Sequence, residues 1–265
     1  CKIVGSYRPS ATETNFTSIF ESIAAAEARL VVHIFSAVAG AAFIKQWVAQ
    51  RRPFTCVGIN VESQLQEFYR VNVGLCEYEV LLASVGTRTP IIPGVTDKFW
   101  DDYKARWGHS PIYTAWGAHE AIMALAETLG NPALVPAWPM TCDQLIPIIE
   151  QTDRLGVLRR FKYTEYHDVF CNELGSMWTQ GYARPLVVQW QSGRMEVVWP
   201  QDQPYSKTYK VPKWMPVVGG IAAPINTPKL LTQPKLQTPN IGLVLTIILP
   251  LVATVVFIKH KKKKQ

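Results

Sequence analysis

Strand and helix patterns alternate along the chain up to residue 130. Residues 30–35 (LVVHIF) form a continuous apolar stretch, which is typical of a strand buried within a parallel sheet. Segments 15–28 and 37–50 on either side of it carry apolar residues at helical spacing, and the alanine-rich stretch 113–129 predicts a longer helix. This alternation predicts an α/β fold in which helices cover a parallel sheet.

The other predicted elements follow the same reading of apolar spacing and turn residues. Ser36 is placed to cap the helix at 37–50, and Gln191 to Arg194 predict the turn of a hairpin. The remaining predicted strands are residues 2–5, 53–59, 78–83, 186–190 and 195–199, and the remaining predicted helices are residues 62–69, 97–107 and 143–150.

The C-terminal region predicts a membrane anchor. Residues 241–258 carry no charge and as a helix would be roughly 27 Å long, close to the thickness of a bilayer core. The lysine-rich residues 259–265 would remain in the cytoplasm, which places the preceding domain outside the membrane. The alternative is a core strand or helix followed by a solvated tail. Residues 217–240, in which prolines recur, predict an extended linker.

The charge balance does not indicate nucleic-acid binding. The formal net charge is +7, and the C-terminal lysines carry most of this excess. The basic residues upstream are scattered and form no stripe that would follow a phosphate backbone. No nucleic-acid partner is therefore predicted, and the C-terminal region indicates the membrane as a partner.

The chain has five cysteines, none of them in a CxxC motif. Two interpretations stay open. Cys56 and Cys76 would form a disulfide outside the cell, or they are small buried hydrophobic residues.

No pattern for catalysis, metal binding or cofactor binding is present. The chain has no glycine-rich phosphate loop and no GxSxG turn, and His119-Glu120 lacks the second histidine of an HExxH zinc helix. His33 lies inside an apolar strand and is interpreted as a core histidine. Glu77 and Glu79 would lie on the same face of a strand. They would either form an acid–base pair or lie at a solvated edge of the sheet. No enzyme and no cofactor are predicted.

Four segments in succession carry a resemblance to a known family. They are YRPSATETNFTSIFESIAAAEARLVVHIFSAVAGAAFIKQW at 7–47, KFWDDYKARWGHSPIYTAWGAHEAIMALAETL at 98–129, LGVLRRFKYTEYHDV at 155–169 and LVVQWQSGRMEVVWP at 186–200. Together they resemble the second lobe and returning segments of type I periplasmic binding proteins, the substrate-binding proteins of branched-chain amino acid ABC transporters. Arg160 departs from the pattern, because the family usually has glycine there.

The resemblance implies a two-lobed ligand-binding protein without enzymatic activity. Residues 1–110 correspond to its second lobe and residues 111–216 to the returning helix, a short helix and a hairpin. The family's first lobe would precede residue 1. The implied function is delivery of a small polar solute, such as an amino acid or an amide, to an ABC permease in the membrane. A sensory ectodomain of the same fold is the alternative, and a tethered hydrolase is a weaker one.

The resemblance also implies where ligand contacts lie. In open α/β sheets, ligands bind beyond the carboxyl ends of the strands. Tyr7 and Ser36 follow the first two strands, Glu77 or Tyr78 would meet the ammonium group of a ligand, and Tyr113 would line the pocket.

Overall fold

The computed structural model describes residues 2–135, 139–163, 182–215 and the backbone of 254–259. The predicted linker at 217–240, helix residues 241–253 and tail residues 260–265 lie outside this part. The strands are β1 (Lys2–Tyr7), β2 (Leu30–Phe35), β3 (Thr55–Asn60), β4 (Val80–Ala83), β5 (Asp153–Gly156), β6 (Arg159–Lys162), β7 (Leu186–Gln191), β8 (Arg194–Trp199) and β9 (Thr254–Lys259). The helices are α1 (Thr17–Ala25), α2 (Ala39–Ala49), α3 (Phe68–Val71), α4 (Thr96–Trp107), α5 (Tyr113–Leu129) and α6 (Cys142–Ile149), with a 3-10 turn at Glu62–Gln64.

A seven-stranded sheet forms the centre of the fold, in the order β1-β9-β2-β3-β4-β7-β8. β2, β3 and β4 pair in parallel, and β1 has the same direction because β9 is antiparallel to both β1 and β2. β7 pairs antiparallel with β4. The sheet is therefore mixed, whereas a parallel sheet covered by helices was predicted. The α/β class is confirmed.

Aromatic packing between β2 and the helices α1 and α2 explains why this part of the sheet is buried. The rings of Phe16 and Phe20 lie 5.2 and 5.1 Å from the ring of Phe43, and Phe35 lies 5.3 Å from the same ring. All four side chains are almost fully buried. Each such side chain removes a large apolar area from water, so this cluster stabilises the packing of both helices on the sheet.

The predicted hairpin near residues 191–194 is confirmed. β7 and β8 pair antiparallel and are joined by Ser192 and Gly193, with φ values of 54° and 86°. Two consecutive residues with positive φ are typical of the turn whose twist matches that of the flanking strands. β7 pairs with β4, so the hairpin completes the sheet built by the first hundred residues. The division into residues 1–110 and 111–216 stays a prediction.

The predicted transmembrane helix over 241–258 is wrong over its last residues. Thr254–Lys259 form β9, which lies between β1 and β2 and pairs with both. The sequence TVVFIK is rich in β-branched residues, and strands on both sides provide hydrogen-bond partners for its backbone. Within the described ranges, no helix has both the length and the apolar character needed to cross a bilayer.

A small hairpin, β5–β6, is attached to α5 by buried charges that the sequence patterns did not indicate. Glu120 on α5 is 5% exposed and accepts hydrogen bonds from the Arg154 guanidinium and from the backbone N–H of Val157, the latter at 2.5 Å. Glu127, about two helical turns further along α5, pairs with Arg154 at 2.9 Å. These contacts join the hairpin to α5.

Candidate functional site

The carboxyl ends of β1 to β4 meet at one edge of the sheet, which we call the carboxyl edge. Because these four strands have the same direction, the residues that follow them gather there. In sheets of this kind ligands bind at this edge. The segments that begin there are 8–16, 36–38, 61–67 and 84–95. The last two extend to the β7–β8 hairpin, where Gln66 donates to the Gly193 carbonyl oxygen and the Thr87 hydroxyl accepts from the Met195 N–H.

Tyr7 and Ser36 lie at the carboxyl edge, as the strand order predicts. Tyr7 is the last residue of β1 and packs, half-buried, against the hydrophobic core. Ser36 follows β2 and is exposed. The N–H of Ala39 donates to the carbonyl oxygen of Ala11 at 3.3 Å, which holds the segments after β1 and β2 side by side. The two predicted residues therefore lie on adjoining segments.

Ser36 does not cap α2, so the expected capping role is wrong. α2 begins at Ala39, Val38 precedes it, and no side chain bonds to its first backbone N–H groups. The Ser36 hydroxyl thus lies three residues before the helix. Its exposure at the carboxyl edge leaves it available to a ligand.

Tyr113 is brought to the same edge by α5. It is the first residue of that helix, is 41% exposed and lines a small cavity with Ser84, which follows β4, and Gln64. The cavity has a volume of about 10 Å³, enough for about one water molecule. Trp116 also lines it, and its buried indole Nε1 has no hydrogen-bond partner within the described part of the chain.

Glu77 and Tyr78 lie at the opposite edge of the sheet. β4 begins at Val80, so both residues precede it and lie at its start, not after its carboxyl end. The Glu77 carboxylate accepts from the Ser192 N–H at 2.9 and 2.8 Å, which fastens it to the β7–β8 turn. Tyr78 is 7% exposed and its ring lies 5.3 Å from that of Trp214. The predicted residues are therefore divided between two edges.

The interpretation of Glu77 and Glu79 as neighbours on one strand face is also corrected. Neither residue belongs to β4, and Tyr78 between them has a φ of +72°, which is incompatible with an extended strand. Burial, with a smaller contribution from the Glu77 charge, raises the pKa of Tyr78. Glu77 faces the hairpin turn, whereas Glu79 is fully buried.

Glu79 is the centre of a polar cluster below the carboxyl edge. Its Oε1 accepts from Asn60 Nδ2 at 3.0 Å and from Ser63 Oγ at 3.2 Å, and it lies 3.3 Å from His33 Nε2. All four side chains are 0% exposed. Asn60 ends β3 and Ser63 lies in the turn after it, so the cluster holds the segment after β3 in place. His33 is a core histidine, as expected.

Glu62 is an acidic residue at the carboxyl edge that sequence reasoning did not select. It lies two residues after β3, is half-buried, and its carboxylate makes no hydrogen bond or ion pair to another described residue. Glu13, in the segment after β1, instead accepts from the N–H groups of Thr14 and Asn15, both at 2.9 Å. The signal for Glu62 was its position directly after a predicted strand.

His119 and Glu120 are adjacent on α5 but have different neighbours. Glu120 is bound to Arg154, and the His119 ring packs 4.6 Å from the ring of Phe99. The described ranges contain no group of three or more histidine, cysteine or acidic side chains arranged to hold a metal ion.

Cys56 and Cys76 are buried free thiols in the hydrophobic core, which corrects the disulfide alternative. Burial, and secondarily the Glu79 charge, raises the pKa of each thiol. Cys142 is a free and exposed thiol.

We expect the three thiols to react with iodoacetamide at very different rates. The thiolate is the reactive form, and both burial and a raised pKa suppress it at Cys56 and Cys76. At pH 8 the native protein should be alkylated at Cys142 first, and at Cys56 and Cys76 only after denaturation. Peptide mass spectrometry measures each site separately. A Cys56–Cys76 disulfide in the non-reduced digest would contradict this expectation.

Comparison with known proteins shows similarity at the level of structure. No protein-family model and no curated protein matches the sequence. A branched-chain amino acid ABC transporter protein from Silicibacter pomeroyi superposes with a TM-score of 0.61 at 16% identity, over 77% of this chain and 52% of that chain. A leucine-binding protein from Thermotoga maritima superposes with a TM-score of 0.55 at 12% identity, over 70% of this chain and 48% of that chain.

A branched-chain amino acid substrate-binding protein from Streptococcus pneumoniae, solved with isoleucine, gives a TM-score of 0.52 at 14% identity, over 72% and 50% of the two chains. The fold resembles that of the type I periplasmic binding proteins. This chain spans about half the length of the structures it matches.

Proposed function

We propose that this chain forms part of a solute-binding protein that delivers a small polar solute to an ABC permease. The proposal rests on the carboxyl edge, where Tyr7, Ser36 and Tyr113 provide hydroxyl groups and Glu62 provides a carboxylate that has no partner among the described residues. The structures of similar fold support this class of function, because those described above are named as transporter or amino acid-binding proteins.

The side chains at the carboxyl edge favour a ligand that carries a cationic amine. A half-buried carboxylate attracts an ammonium group more strongly than one in bulk water, because the local dielectric constant is lower. Hydroxyl groups of tyrosine and serine donate and accept hydrogen bonds and fix the orientation of a polar ligand. We therefore assign the role first expected of Glu77 to Glu62, and propose an amino acid or a related amine as the ligand.

We propose an extracytoplasmic location for the domain, as for the binding proteins of similar fold. Attachment through a helix at residues 241–258 is not part of the proposal, because Thr254–Lys259 form β9 in the sheet.

The test is a ligand screen on the complete protein by thermal unfolding. A ligand that binds only the folded state raises the melting temperature. We expect amino acids or amines to raise it, and amides, urea and sugars to have little effect. A flat response across all classes, from a sample that unfolds cooperatively, would contradict the proposed function.

Substitution of Glu62 should then identify the ammonium contact. A hydrogen bond to a charged group contributes about 1.5–3 kcal/mol. Glu62→Gln should therefore raise the Kd for the amine ligand by roughly 10- to 150-fold, as measured by calorimetry. Glu77→Gln is the matched control and should leave the Kd unchanged. If Glu77→Gln raised the Kd and Glu62→Gln left it unchanged, the ammonium contact would be assigned to Glu77.

A further inference from the structure

Three polar groups that have no hydrogen-bond partner among the described residues line the small cavity at the carboxyl edge. The first is the buried indole Nε1 of Trp116. The other two are the side-chain amide of Gln64 and the hydroxyl of Ser84. Trp116 is 0% exposed and Gln64 is 6% exposed. Because a buried polar group without a partner is costly, three of them around one cavity indicate a place where a partner binds.

The packing around Trp116 fixes the position of its indole group. The Trp116 ring lies 4.4 Å from the ring of Phe99 and 6.3 Å from the ring of Trp100. Phe99 and Trp100 belong to α4, whereas Trp116 lies in the first turn of α5. The two helices therefore hold the N–H donor in place before a ligand arrives. A donor that is already ordered loses little conformational entropy on binding.

The chemistry of the cavity lining favours an anionic oxygen with a single charge. An indole N–H can only donate, whereas an amide and a hydroxyl can donate or accept. No charged side chain is present among the described residues that line the cavity, so the charge of a phosphate or sulfate would not be compensated there. The carboxylate of an amino acid is balanced by the ammonium group of the same molecule. Its oxygens also accept stronger hydrogen bonds than a neutral carbonyl oxygen does.

The size and location of the cavity limit which part of a ligand can enter it. Its volume of about 10 Å³ accommodates one oxygen-sized group. Glu62 and Gln64 are the first and last residues of the same 3-10 turn, so the cavity adjoins the segment that carries the proposed ammonium contact. Tyr113, which also lines the cavity, is 41% exposed. A ligand could therefore place one oxygen in the cavity while its other groups remain outside.

We propose that Trp116 Nε1 donates a hydrogen bond to the carboxylate of an amino acid ligand, and that Gln64 and Ser84 complete this oxygen site. The proposal rests on the function proposed above and specifies the acid end of the ligand, as Glu62 specifies the amine end. A water molecule can occupy the same position in the ligand-free protein, and the ligand oxygen then replaces it. Trp116 thus selects amino acids over amines that lack a carboxylate.

The first test compares two substitutions of tryptophan by phenylalanine in the complete protein. Trp116→Phe keeps an aromatic ring and removes the N–H donor. Trp47→Phe is the matched control, because Trp47 is also 0% exposed and its Nε1 already donates to the Phe54 carbonyl oxygen at 2.9 Å. The Kd is measured by calorimetry for each common amino acid that raises the melting temperature. We expect Trp116→Phe to raise this Kd by about 10-fold or more and Trp47→Phe to leave it unchanged. An unchanged Kd in Trp116→Phe would overturn the proposal and leave the cavity as a site for water.

The second test varies the ligand and does not depend on whether Trp116→Phe folds. Each amino acid that binds is paired with the amine that lacks its carboxylate, for example L-leucine with isopentylamine. In the unaltered protein we expect the amine to bind about 10-fold or more weakly than the amino acid. In Trp116→Phe the two Kd values should converge, because the substitution removes a contact that only the amino acid makes. An equal loss of affinity for both ligands would indicate a structural effect and overturn the proposal.

The ligand series also separates this proposal from the proposed function. Binding of amines with the same affinity as the matched amino acids would refute the carboxylate contact and leave the proposed function in place. Binding of neither class, in a sample that unfolds cooperatively, would instead refute the proposed function and the carboxylate contact with it.

Discussion

Replacement of Glu120 by alanine should lower the free energy of unfolding by about 3–5 kcal/mol. The Glu120 carboxylate is almost fully buried between α5 and the small hairpin, where it accepts from Arg154 and from the Val157 N–H. The Arg154 side chain is only 11% exposed. Removal of the acid leaves a largely buried guanidinium and an unpaired backbone donor, and the loss of a buried partner is costly. Denaturant unfolding followed by circular dichroism measures the change.

Glu127→Ala is the control for this prediction, because Glu127 pairs with the same arginine. Its side chain is 50% exposed, so water replaces most of the interaction and the expected loss is about 0–1 kcal/mol. The contrast tests burial, since both variants remove a carboxylate from Arg154. Similar losses for the two variants would show that the hairpin is not held by the buried acid.

Local patterns were sufficient for most elements of the sheet. The predicted bounds of β2 and α5 agree with the structure, because a continuous apolar stretch and a long periodic helix end at clear breaks in the sequence. The turn of the β7–β8 hairpin was also predicted, since Gly193 adopts positive φ readily. In these elements the local preference and the tertiary packing favour the same conformation.

The elements that were missed depend on contacts distant in sequence. The hairpin β5–β6 has a polar sequence, and its position depends on an ion pair between Arg154 and Glu120, far apart along the chain. β9 pairs with two strands that precede it by more than two hundred residues, so its apolar sequence alone fits either a strand or a membrane helix. No local pattern distinguishes such alternatives.

The sequence was sufficient to predict which edge of the sheet carries the candidate site. It was not sufficient to identify all of the side chains at that edge. The direction of the strands predicts that Tyr7 and Ser36 lie at one edge, and the structure places them there. The positive φ of Tyr78 is a single-residue feature with no signature in the sequence, and it sets Glu77 and Glu79 in different environments. Assignment of the acid therefore required the three-dimensional structure.

Replacement of Glu79 by alanine should have an effect of similar size to that of Glu120, about 3 kcal/mol or more. Glu79 is 0% exposed and its Oε1 is the acceptor for Asn60 and Ser63. Without it the amide of Asn60 and the ring of His33 lose their nearest acceptor inside the core, where an unpaired polar group is costly. Thermal and denaturant unfolding of the variant measure the loss.

Two further variants distinguish the loss of the buried acceptor at Glu79 from the loss of a nearby negative charge. Glu79→Gln keeps an acceptor oxygen for Asn60 and Ser63, so we expect it to lower the free energy of unfolding by about 1 kcal/mol, less than alanine does. Glu77→Ala removes the adjacent acid, which bonds to the exposed hairpin turn, and should lower the free energy of unfolding by about 1 kcal/mol or less.

Because the cluster also fixes the segment that carries Glu62, Glu79→Ala should weaken binding of the amine ligand in protein that remains folded. A variant that is as stable as the original protein, with unchanged ligand affinity, would show that the cluster supports neither the core nor the site.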